Sequence, residues 1–159
     1  MDPTPRPTPE QYRRQRRLVD ELLRHVEATG HPEIPWRALP ALAEDFADDH
    51  AVLTHLAARW SRTLAAVLDP VFDLAPDDRE RAAARITADL AGRLPALHAV
   101  LRRYADHPAV RDARVVDRAR SGLAGAPLHA EHVPARWAAG APAARRCRVR
   151  ARLRTAVTA

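Results

Sequence analysis

The residues of this chain with the most chemistry to offer are its eight histidines and the acids around them. The stretch "HAEH" at 129–132 sets His129 and His132 three apart, with Glu131 between. Imidazole and carboxylate donors of this kind suit zinc, but a closed zinc site takes four ligands and needs partners that orient them. His50 and His55 are five apart, which points them about 140° apart on a helix, so they do not share an ion. A Glu-x-x-His pair of the kind that builds di-iron centres in helical bundles is missing. The sequence assigns no metal and no other cofactor.

A second constellation is acidic. Glu44, Asp45, Asp48 and Asp49 lie within six residues. On a continuous helix, Glu44/Asp48 and Asp45/Asp49 are i,i+4 pairs that share a face. Paired carboxylates can do acid–base work or hold Mg²⁺. More commonly such residues cap a helix start and face solvent. A third role is to receive a basic segment of the same chain or of another, through exposed ion pairs worth about 0–1 kcal/mol each.

That basic segment is "RRCRVRARLR" at 145–154, where Arg145, Arg146, Arg148, Arg150, Arg152 and Arg154 alternate from residue 146 with small or apolar residues. On a helical wheel these arginines spread to every side, which leaves no apolar face for a membrane or a groove. As an arm, the segment can bind phosphates with strong salt dependence, bind an acidic protein surface, or stay a solvated tail that reflects codon usage alone. Trp137, just upstream, can anchor on a partner or stack on a base, or equally fold back on the bundle. All 26 basic residues are arginine, and the chain has no lysine. This is the usage of a GC-rich, bacterial style of coding, so the pI near 11.0 is not by itself a nucleic-acid signature. Residues 1–125 hold 19 arginines and 19 acids, while residues 126–159 hold 7 arginines and one acid, Glu131. The net charge of +6 therefore belongs to the C-terminal segment, and the body offers no global field for steering onto polyanions.

Several enzyme classes are excluded by what is missing. Without lysine there is no P-loop lysine and no Schiff base. The five glycines form no phosphate-cradling cluster. Ser61, between Trp60 and Arg62, has no nucleophile-elbow context. The single Cys147 permits no intramolecular disulfide. With no secretory signal and no apolar run of membrane-spanning length, a cytoplasmic chain is expected.

The elements that must position these groups are helical. Thr8, Pro9 and Gln11 form a capping-box start, and Gly30 suits a left-handed stop, which predicts a helix over 9–29. Tyr12, Val19, Leu22, Leu23 and Val26 share its inner arc. A connector follows, in which Trp36 packs on the end of the bundle. A short helix begins near Pro40 and carries Leu39, Leu42 and Phe46. Asp48 or Asp49 caps the next helix, whose stripe runs through Leu53, Leu56, Ala57, Trp60, Leu64, Val67 and Leu68. Asp77 and Glu80 have capping-box spacing. From there Ala83, Ile86, Leu90, Leu94, Leu97, Leu101 and Tyr104 keep one phase across Pro95, which predicts a kinked or two-piece helix. A last helix over 108–121 turns Val110, Ala113 and Val116 inward.

The fold class is therefore all-α: a bundle of four to five helices over residues 9–125. A proline-rich lead occupies 1–8. Leu, Ile, Val and Phe make up about 15% of residues 126–159, below the roughly 20% typical of packed chains, so a disordered arginine-rich tail is expected there. The preferred functional expectation is a small non-enzymatic interaction or regulatory module with a protein partner, as a monomer or homodimer, and no membrane association. The competing class is a nucleic-acid-binding protein using the tail, with or without a helix-turn-helix at about 39–68. A further alternative is a metal- or ligand-binding bundle enzyme. It would require groups such as His25, His50, His55, His98, Glu44, Asp48 and Asp49 to meet only in space.

Overall fold

The computed structural model describes residues 8–121. They form six α-helices and one 3₁₀ turn, with no strand among the described residues. The helices are α1 (Pro9–Thr29), α2 (Leu42–Asp45), α3 (Asp49–Leu68), α4 (Pro76–Arg93), α5 (Pro95–Arg103) and α6 (Pro108–Ser121). The 3₁₀ turn, Asp69–Asp73, follows α3. The architecture is a helical bundle with one core.

Helix α1 begins and ends as its sequence dictates. The Thr8 hydroxyl accepts from the Gln11 backbone N–H at 3.2 Å, and the Thr8 N–H donates to Gln11 Oε1 at 2.7 Å. This reciprocal pair satisfies two of the donors that a helix start leaves open. Gly30 stops the helix at φ 77°, and its N–H returns to the Val26 carbonyl. Leu18, Val19, Leu22 and Val26 face the core. Tyr12 does not; it is 43% exposed, with its ring tilted against His55.

Helix α3 is the central rod. Asp48 caps it by accepting from the Ala51 N–H at 2.9 Å. Val52, Leu53, Leu56, Ala57, Trp60, Leu64 and Leu68 are buried along it. It packs against α4, α5, the 3₁₀ turn and, most extensively, α6. The shortness of α2 departs from the helix-turn-helix expected at 39–68: the first helix of that pair is a single turn of four residues.

Pro95 divides one apolar stripe between two helices. It takes the first position of α5, where a missing N–H costs nothing. Leu94 bridges the break: its N–H donates to the Leu90 carbonyl, and its carbonyl accepts from His98. Ala83 and Leu90 before the break, and Leu97 and Leu101 after it, are all buried. The start of α4 differs from expectation. Its N-cap is Ala75, which has no side chain to cap with, and Asp77 falls inside the first turn.

The expected inward face of α6 is corrected at its end. Val110 is buried and Ala113 packs on the core, but Val116 is 44% exposed and Asp117 is buried instead. The Ser61 hydroxyl donates to Asp117 Oδ2 at 2.8 Å, so the carboxylate has a partner on α3. Ala109, Ala113 and Asp117 are four residues apart, and they make this side of α6 the one that meets α3.

The connector between α1 and α2 is tied down at three points. The Tyr104 hydroxyl accepts from the Ile34 N–H at 3.2 Å, and Arg103 pairs with Glu33. Trp36, half-buried at the edge of the core, donates its indole N–H to Asp49 Oδ1 at 2.6 Å.

Candidate functional site

The acidic run at 44–49 does not form a paired-carboxylate site. Helix α2 ends at Asp45, and Phe46 is extended (φ −125°, ψ 129°), so the i,i+4 phase that would align Glu44 with Asp48 and Asp45 with Asp49 is broken. Each carboxylate has a structural task. Arg14 of α1 reaches across to both Glu44 and Asp45. Gln15 adds a bond from its amide to the Asp45 carbonyl at 3.2 Å. Asp48 caps α3, and Asp49 holds the Trp36 indole. The four acids fasten α1 and the connector to the start of α3.

The histidines are dispersed in the same way. His50 lies against His107, with ring centroids 5.6 Å apart. His55 is half-buried between Tyr12 and Phe46, each ring 6.0 Å away. Burial pushes its pKa below the usual histidine value, Arg62 and Arg59 add to that, and Asp20 opposes it. His98 is buried and stacked on Trp60 at 5.6 Å. Among the described residues no three His, Cys, Asp or Glu side chains come together in a way that could hold a metal ion.

The remaining sequence candidates, Trp137, Arg145, Arg146, Arg148, Arg150, Arg152 and Arg154, lie outside the described residues, as does the His129–His132 pair.

Two features that overall neutrality concealed stand out on the surface. The first is the outer side of α1. Arg13, Arg16, Arg17 and Arg24 are exposed, and among the described residues none of them makes an ion pair. Arg13–Arg16, Arg13–Arg17 and Arg14–Arg17 are i,i+3 or i,i+4 neighbours, which repel by a few tenths of a kcal/mol each. Arg14 is neutralised by Glu44 and Asp45; the others are not. Two shallow surface depressions run along this helix, both lined by arginines together with acids: Asp20 and Glu21 in one, and Glu10, Glu44 and Asp45 in the other. The signal, "RRQRR" at 13–17, is plain in the sequence, but averaging charge over 125 residues erased it.

The second is the turn after α3. Val71 is buried, while Phe72 and Leu74 are 42% and 40% exposed. One guanidinium fixes this turn: Arg79 donates from Nε to the Leu74 carbonyl at 2.9 Å and from Nη2 to the Phe72 carbonyl at 3.1 Å. Among the described residues no helix is long and apolar enough to cross a membrane.

Comparison with protein-family models, with curated proteins and with solved structures returns no match.

Proposed function

We propose that this chain is a small non-enzymatic helical module, regulatory in role and cytoplasmic, that binds an acidic protein partner through the outer face of α1. The observation that carries the reading is the arginine set Arg13, Arg16, Arg17 and Arg24. Arg13 repels Arg16 and Arg17 along one helix, and none of the four makes an ion pair among the described residues. An acidic partner relieves that repulsion and supplies complementary potential, which sets encounter rate and specificity. The alternative use of the domain, as an enzyme, draws no support from the acids at 44–49, whose contacts are structural.

The test is quantitative affinity capture from the native host with two baits, the full chain and an R13Q/R16Q/R17Q/R24Q variant. Glutamine keeps helix propensity while removing charge. The expected result is an acidic protein enriched on the native bait and depleted at least tenfold on the variant. Identical capture by both baits overturns the α1 assignment.

A second reading is supported by the location of the net charge. Six excess positive charges in residues 126–159 suit phosphate contacts that weaken as salt rises. A mobility shift with mixed DNA and RNA probes at low salt, lost on removal of residues 140–159, supports it. Absence of any shift with the full chain at low salt ends it.

A further inference from the structure

The turn between α3 and α4 is an apolar knob in an acidic frame. Phe72 and Leu74 project into solvent from a backbone that Arg79 clamps at two carbonyls. Preset geometry of this kind lowers the ordering cost of binding. The exposed acids Asp69, Asp73, Asp78 and Glu80 flank it. Asp69, Asp73 and Glu80 make no ion pair among the described residues, and Asp78 meets only Arg81, at 3.4 Å on an exposed side. This is a different acidic stretch from 44–49, whose carboxylates are already engaged.

We infer that the Phe72/Leu74 turn is a docking surface for this chain's own arginine segment, residues 145–154. Charge complementarity selects that occupant. Residues 69–80 carry five acids against Arg79 alone, and residues 145–154 carry six arginines and no acid. The apolar content matches as well. Val149 and Leu153 can cover the exposed knob, and arginine stems pack on apolar surface while their guanidinium groups reach carboxylates or the face of Phe72.

The other exposed apolar pair, Val115 and Val116 on α6, has the exposed Arg111, Arg118 and Arg120 around it against one acid, Asp112, so the balance of charge there repels the same segment. The outer face of α1 is basic too. Chain length allows the contact wherever α6 ends. Twenty-three residues separate Ser121 from Arg145. Extended, they reach roughly 75–85 Å, well beyond a domain of this size, whose radius of gyration is about 13 Å. Covalent linkage gives the segment an effective concentration on the order of millimolar, above that of a second copy at micromolar protein.

Cys147 is the sole cysteine and lies inside the segment, which makes the experiment direct. A nitroxide is attached to Cys147 of the ¹⁵N-labelled full chain, and amide intensities are compared with those of the reduced label. At low salt, the amides of Phe72, Asp73 and Leu74 are expected to lose at least half their intensity, while those of Glu44–Asp49 keep theirs. Intensity returns at high salt and in a D69N/D73N/E80Q/F72S variant, whose exposed substitutions leave the fold intact by circular dichroism. Moving the label to Ala144→Cys in a Cys147→Ser background repeats the result and removes any effect of the label on the segment. A mixture of ¹⁵N-labelled, label-free chain with unenriched, nitroxide-bearing chain shows no loss. Full intensity at 72–74, equal loss over the whole domain, or the same loss in the variant overturns the inference. Loss in the mixed sample moves the occupant to a second copy and overturns the same-chain assignment.

Discussion

The bond between Ser61 and Asp117 can be tested quantitatively. It joins α3 to α6 across the most extensive helix–helix contact of the described domain, and Asp117 is 8% exposed. A hydrogen bond to a charged group contributes about 1.5–3 kcal/mol, and removing one partner also leaves the other partly desolvated without it. Ser61→Ala is therefore expected to lower stability by about 2 kcal/mol. A domain of this size shifts in Tm by about 4 °C per kcal/mol, so the midpoint falls by about 8 °C. Asp117→Ala loses this bond along with the carboxylate's other contacts. The double variant removes both ends together, which is milder than the sum of the singles. The coupling is expected at about 1.5 kcal/mol, within the usual range for contacting residues. Urea denaturation followed by circular dichroism on all four chains gives the cycle, and the cycle isolates this pair from everything else Asp117 touches. Additivity within about 0.3–0.5 kcal/mol refutes the assigned bond.

Other expectations are more local. Thr8→Ala deletes one half of the capping box and costs about 1 kcal/mol; an unchanged midpoint in denaturant contradicts the cap. Gly30→Ala forces a side chain into the left-handed region at φ 77° and costs about 1–2 kcal/mol; a neutral effect contradicts that backbone geometry. Gly92→Ala goes the other way. A Cβ there meets nothing within 4 Å in an exposed part of α4, so stability rises by about 0.5 kcal/mol. His55 makes stability depend on pH. Its pKa is lower folded than unfolded, so the unfolded chain binds the proton more readily. The penalty is absent well above the unfolded pKa of about 6.5, grows as pH falls below it, and levels off below the folded value. His55→Gln is expected to flatten stability against pH in that window, measured by urea midpoints, and an unchanged slope rules out this assignment.

The ends of α1 and the break between α4 and α5 were legible because their causes are local. Thr8 and Gln11 sit three residues apart, Gly30 follows the last turn, and Pro95 suits only the first turn of a helix. The inward side of α6 was not. Apolar periodicity turned Val116 to the core, whereas the structure buries Asp117, because its donor Ser61 stands 56 residues earlier and nothing local announces it. The acidic run failed for a related reason. Its i,i+4 spacing implies a shared face only if the helix continues, and Phe46 interrupts it. The uses of Glu44 and Asp45 depend on Arg14, thirty residues away. The α1 arginines and the Phe72/Leu74 turn were visible as residues but not as surfaces, since exposure is a property of the assembled bundle.

The break at Leu94–Pro95 has a consequence for how this chain tolerates change in length. Both halves of that interrupted rod aim at the same interior only because the count between them is right. One inserted residue at the joint would turn everything after it by about 100°, swinging Leu97 and Leu101 toward water although every side chain is kept. The sequence there is thus guarded less by which amino acid occupies each site than by how many there are. A library of insertions and deletions should show a deeper trough at 94–95 than a library of substitutions does.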